Sequence, residues 1–249
     1  MNIYTYYEDV GFRSQLELIE LWKQSWSNNG FEPIVLSRED AKRSELYQEY
    51  YDFVQRIHKN ISGNILPENS YWLAAQLEIV AFTTISKKQA AYISDYDVIN
   101  KNFQHKHSWG KLHWRDSCCS CFASGSGENW IKYVNFLLQE EKTITDWCLQ
   151  EKEKTKRTEY GDQDFLIAVY KKGLDQDIYK MSRQPHLCQM YFPSVKGDDI
   201  KIYHVSHNNV YHVVETYKKY HSLFDFNGED VDYNKPDEIR LRLVRDIVK

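Results

Sequence analysis

The chain has 249 residues and a formal net charge of −4, with 42% hydrophobic, 15% aromatic and 27% charged residues. It is long enough to bury a sizeable core and too apolar to be disordered, and its acidic balance excludes a general nucleic-acid binder, which needs a basic face against phosphates. Its apolar runs fall short of a membrane span, and its five cysteines, three of them bunched as Cys118, Cys119 and Cys121, suit reduced, partly buried thiols better than a disulfide framework or a metal cluster.

Taken in chain order, "NIYTYY" (2–7) alternates and predicts a strand. The opening "MNIYTYYEDVG" lacks the basic-then-apolar pattern of a secretory leader, and with the reduced cysteines this sets the expectation of a cytoplasmic protein. Phe12, Leu16, Ile19, Trp22 and Trp26 recur at helical spacing, and Gly30 stands where a C-terminal cap belongs. "FEPIVLS" (31–37) is a second strand, and residues 38–58 predict one further helix. This β-α-β-α opening is the pattern of a parallel sheet covered by helices.

"NISGNILPENS" (60–70) is a loop, with Asn69 or Ser70 available to cap a helix over 71–86. That helix is apolar on nearly every face and is expected in the centre of the fold. "QAAYIS" reads as a buried central strand, and Asp95 and Asp97 follow it directly. Residues 100–117 are polar and histidine-rich, with His105, His107, Trp109, His113 and Trp114, and predict a long loop over a site. A strand over 118–125 and a helix over 128–139 come next, with Trp130 as a core aromatic at helical spacing. The glycines between them could let a sugar approach the backbone closely, or serve only a flexible turn. A charged surface helix, a helix over 160–173 capped by Gly161 and Asp162, a strand over 199–207 and a closing helix complete the chain. No linker, repeat or low-complexity tract interrupts it, so the expectation is one domain over residues 1–249.

The two acids after the buried strand carry the chemistry. In open α/β sheets ligands bind beyond the carboxyl ends of the strands. In an extended segment, carboxylates two residues apart would point to opposite sides, one free to take a divalent cation and the other a hydroxyl or a water. Few, hard oxygen ligands suit Mn²⁺ or Mg²⁺ shared with substrate phosphates.

"AAYISDYDVIN" resembles the DxD motif of nucleotide-sugar-dependent glycosyltransferases of the GT-A fold, a Rossmann-like, mostly parallel α/β sheet flanked by helices. "YGDQDFLIAVY" resembles the acidic segment that such enzymes place beneath the sugar, and "KIYHVSH" the late strand end that supplies a histidine ligand. The resemblance implies a metal held by Asp97 and Asp95 with His204 or His207. It also implies that Asp95 contacts ribose or a metal-bound water, and that the base is seated with Tyr6 or Tyr7 stacking on it and Glu8 or Asp9 nearby. Asp164, then Asp162, would take a proton from the acceptor hydroxyl if configuration inverts, or orient the sugar if it is retained. The implied partners are a UDP- or GDP-sugar donor and a sugar or glycan acceptor, with a hexosyl or pentosyl group transferred.

Two alternatives stand beside this reading. A nucleotidyltransferase acting on sugar phosphates shares the sheet and the metal chemistry, but usually has a glycine-rich basic loop after the first strand, where "YYEDVGFRSQ" is acidic with one glycine. A non-catalytic nucleotide-sugar-binding module would keep the fold without turnover.

Overall fold

The computed structural model describes residues 1–11, 16–104, 112–116, 119–170, 179–181, 188–190, 202–205 and 236–249. Strands β1 (Asn2–Tyr6), β2 (Glu32–Leu36) and β3 (Ala91–Ser94) form its parallel half, in the order β2-β1-β3. Strand β6 (Cys119–Gly125) lies antiparallel to β3, and β5 (Leu112–Asp116) antiparallel to β6. Strand β7 (Tyr179–Met181) then runs parallel to β5 at the edge. The result is a mostly parallel six-stranded sheet, as the β-α-β-α pattern implies. A second, three-stranded sheet joins β4 (Val98–Asn100), β9 (Ile202–His204) and β8 (Cys188–Met190) in the order β4-β9-β8.

Side chains alternate across a strand, and here that alternation divides the core in two. Tyr4, Tyr6, Ile34, Leu36, Ala91, Ile93 and Ala123 pack on one face. Against them lie α2 (Arg38–Lys42), α3 (Tyr47–Ser62), α4 (Tyr71–Phe82), α5 (Gly127–Gln139), α6 (Glu141–Thr155) and α7 (Asp162–Tyr170). Ile3, Val35, Tyr92 and Phe122 face the other way, toward α1 (Leu16–Ser27), β4, β9 and α8 (Pro236–Val248). Helix α4 is apolar all round because it lies among α2, α3, α5 and α7, and Ser70 caps it by accepting from Trp72 N at 3.2 Å.

The single helix expected over 38–58 is two. Ser44 sits at the break, its Oγ 2.6 Å from Thr83 Oγ1 and accepting from Leu46 N at 3.2 Å, a local alternative to helical bonding. Helix α3 then runs on to Ser62 and stops at Gly63, whose φ of 80° suits glycine. Helix α6 also begins earlier than its charge pattern suggests, and buries Ile144 and Cys148. The loop expected over 100–117 contains β5, which carries His113 and Trp114. Pairing on both sides overrides its polar composition. His105, His107, Trp109 and Cys118 lie outside the described residues. Cys121 and Cys148 are buried. Among the described residues no helix is long and apolar enough to cross a membrane.

Gly127 begins α5 against the end of α4. A Cβ there would lie 2.4 Å from Ile85 O, while Gly127 N donates to Ser86 O at 2.8 Å. The small residues of "SGSG" thus allow helix to meet backbone, which is the packing alternative to a sugar approach. Trp130 is core, 5.1 Å from Phe82 between ring centres.

Candidate active site

The segment after β3 is a tight turn. Val98 N donates to Asp95 O at 3.0 Å, closing Asp95–Val98, and Asp95 N donates to Cys121 O at 3.0 Å. The expectation of carboxylates pointing to opposite sides assumed an extended chain. In the turn both converge on one point instead.

Helix α1 fixes this turn from below. Trp22 and Trp26, one helical turn apart, donate their indole N–H groups to Ser94 Oγ at 2.9 Å and Val98 O at 3.1 Å, bracketing the two acids. Ser25 Oγ accepts from Asn100 N at 3.2 Å. Behind them Trp26 and Tyr92 each stack on Phe122, at 5.8 and 5.5 Å, so much of the aromatic richness is spent supporting the turn.

Strand β4 continues from the turn and pairs with β9, placing His204 opposite Val98, while Val205 N donates to Asp97 O at 2.8 Å. His204 Nε2 lies 3.3 Å from Asp97 Oδ1 and 4.0 Å from Asp95 Oδ2. One candidate ligand atom from each of Asp95, Asp97 and His204 lies within 4.8 Å of the others. The third face of the turn meets Arg240 of α8, whose Nη2 donates to Asp97 Oδ2 at 2.7 Å and whose Nε donates to Val205 O at 2.8 Å.

Electrostatics separate the two acids. Burial pushes Asp95 above the usual carboxylate range, and the neighbouring Asp97 charge adds to this. Burial acts the same way on Asp97, but His204 and Arg240 outweigh it and hold Asp97 below that range. Glu78, half-buried on α4, is driven well up by burial and then by Asp95, Asp162 and Asp97. Sequence reasoning missed both Glu78 and Arg240. An all-round apolar helix hides which of its faces meets the site, and a lone arginine in a charged amphipathic helix carries no local signal.

This donor set fits a divalent cation. Asp97 Oδ1 is buried without a hydrogen bond, although it faces a histidine nitrogen. Two carboxylate oxygens and an imidazole converging on one point repel one another unless a cation or a proton joins them. His207, the other candidate, lies outside the described residues.

The remaining predicted residues divide by what already holds them. Asp164 is buried and accepts from Arg157 Nη2 at 2.9 Å, Arg157 Nη1 at 3.2 Å and Gly161 N at 2.9 Å. Arg157 in turn stacks over Trp72 and Tyr160, 5.5 and 5.0 Å from their ring centres. Asp162, on the first turn of the same helix, is half-buried and contributes to the charge felt by Asp95 and Glu78. Tyr6 is buried and donates to Glu8 at 2.7 Å, and Glu8 pairs with Arg38 at 2.8 Å. Tyr7 meets Tyr96 edge-on at 5.6 Å, so the tyrosine between the two acids joins the end of β1 to the turn.

No protein-family model matches the chain, and no curated protein matches it in sequence. Several solved structures are similar in fold. One is the galactosyltransferase LgtC in complex with donor and acceptor sugar analogs, at 12% identity and a TM-score of 0.45 over 82% of this chain and 86% of that one. Mouse xyloside xylosyltransferase 1 is 9% identical, with a TM-score of 0.47 over 82% and 97%. The glycosyltransferase GlyE of Streptococcus pneumoniae TIGR4 is 12% identical, with a TM-score of 0.41 over 99% of this chain and 62% of its own, so this chain spans under two thirds of GlyE.

Proposed function

We propose that this protein is a metal-dependent glycosyltransferase that moves a sugar from a nucleoside diphosphate-sugar to a hydroxyl of a sugar or glycan acceptor. The observation that carries the reading is the convergence of Asp95, Asp97 and His204 at the carboxyl end of β3, with Asp97 Oδ1 lacking a hydrogen bond. Asp97 and His204 are the more enclosed of the three and suit direct ligation of Mn²⁺ or Mg²⁺. Asp95, its side chain 36% exposed, is open to a nucleotide ribose as well as to the cation. Bound there, the cation would neutralise charge on the departing diphosphate.

The chain's own residues then divide the work. Tyr7, against Tyr96, offers an aromatic corner beside the turn for the base, whereas Tyr6 and Glu8 are committed to each other and to Arg38. Asp164, fully engaged by Arg157 and Gly161 N, anchors the start of α7. Asp162 is thereby fixed where its charge reaches Asp95, and it is the acid we assign to the transferred sugar or the acceptor hydroxyl. This reverses the order of the two candidates drawn from sequence.

Thermal shift with Mn²⁺ and a panel of nucleoside diphosphates and their sugars tests the reading. Metal-dependent stabilisation of about 3–4 kcal/mol is expected at ligand concentrations roughly 100- to 1,000-fold above Kd. Asp97→Ala should abolish it. The donor-site reading fails if no diphosphate stabilises the protein with or without metal.

A further inference from the structure

Helix α8 buries Ile239, Leu243, Val244 and Val248 in the second core, and among these apolar residues it also buries Arg240, 1% exposed. An enclosed guanidinium is costly unless its donors are met. Two that are met close a ring around the site. Arg240 Nη2 holds Asp97 Oδ2, Arg240 Nε holds Val205 O, and Val205 N holds Asp97 O. Val205 directly follows His204, so one side chain ties together the two segments that bring the ligands.

Resting on the cation site proposed above, we infer that Arg240 is a positioning residue for it: by holding Asp97 Oδ2 it keeps the carboxylate from turning, and leaves Oδ1 to face His204. A carboxylate free to turn could offer both oxygens to a cation. Here the forked guanidinium fixes which oxygen is offered and holds β9 at the distance where His204 lies 3.3 Å from it. The C-terminal helix is therefore part of the cation site, although it supplies no ligand.

The rival explanation is that Arg240 is only a counter-charge for buried Asp97, and the two differ in sign. A counter-charge repels a metal ion, so Arg240→Gln would tighten Mn²⁺ binding and Arg240→Lys would leave it unchanged. For a positioning fork, both substitutions should weaken Mn²⁺ affinity by about 10- to 100-fold, the usual effect of losing a partner that orients a ligand. Affinity is read by calorimetry on protein and Mn²⁺ alone, with circular dichroism confirming that each variant is folded.

Should the variants not fold, arginine-selective ¹⁵N labelling of the unaltered protein gives the answer. The Arg240 Nε–H should stay slow to exchange as Mg²⁺ is added, and loss of that protection would overturn the inference. Tighter or unchanged Mn²⁺ binding in folded Arg240→Gln and Arg240→Lys would overturn it too. If the unaltered protein takes up neither cation, the cation-site reading itself fails and takes this inference with it.

Discussion

The two faces of the sheet are built in opposite ways. The face under α2–α7 draws its helices from one run of chain, residues 38–170, and packs them around the central helix α4 over a mixed aliphatic and aromatic core. The other is assembled from segments spread from β1 to α8, over an aromatic core, with contacts such as Trp22 to Ser94 and Arg240 to Asp97 spanning 72 and 143 residues. The candidate cation ligands sit on the second. Three side chains from a turn and a distant strand meet only if long-range pairing is rigid, and the stacked rings beneath the turn supply that rigidity. The first face acts as scaffold and carries Asp162, whose charge acts on Asp95, and Glu78, on which Asp95 acts in turn.

Separating the faces by substitution gives the largest effect at Gly127. An added methyl there meets the Ile85 carbonyl oxygen at 2.4 Å, a backbone atom that cannot swing away. Gly127→Ala should cost about 1–3 kcal/mol in urea unfolding and leave Mn²⁺ affinity unchanged in the protein that remains folded. A fall in affinity larger than the fall in stability would mean that the scaffold face reaches the site more directly than its packing implies.

Trp26→Phe tests the other face with a smaller expected cost. It keeps most of the ring packing and removes the indole donor to Val98 O, about 1 kcal/mol of stability. Because Val98 closes the turn that holds both acids, Mn²⁺ affinity should fall several-fold alongside. Equal affinity in calorimetry would show that the turn needs only its own hydrogen bonds and the β4–β9 pairing.

These differences also explain what the sequence could show. Helices α4 and α7 are legible because their apolar periodicity and caps are local, and the acids after β3 because a buried strand precedes them. Strands β4 and β5 are not legible: three or five polar-flanked residues become strands only through partners elsewhere in the chain. Ser44 breaks the predicted long helix through a hydroxyl contact to Thr83, which local propensity does not encode. Within the site, Asp95, Asp97 and His204 are legible as ligand types after a strand end. Their convergence depends on a turn, and Arg240 on a helix that returns from the far end of the chain.

The smallest expected effect lies in the scaffold and depends on pH. His58 is buried between α3 and the start of α7, with Nδ1 2.9 Å from Val54 O and Nε2 accepting from Tyr160 N at 3.2 Å. Those two contacts fix the neutral tautomer that donates from Nδ1, and burial lowers the pKa. The sign follows from where the proton binds. Below about pH 6.5 the unfolded chain protonates this histidine and the folded chain resists, so its contribution is complete above that pH and is lost as pH falls. One proton limits the slope to about 1.4 kcal/mol per pH unit. In urea unfolding from about pH 7 to about pH 5, His58→Asn should remove this contribution from the slope, against which the raised Asp95 and Glu78 act with opposite sign, and should lower stability at neutral pH. An unchanged slope would show that the His58 tautomer does not contribute to it.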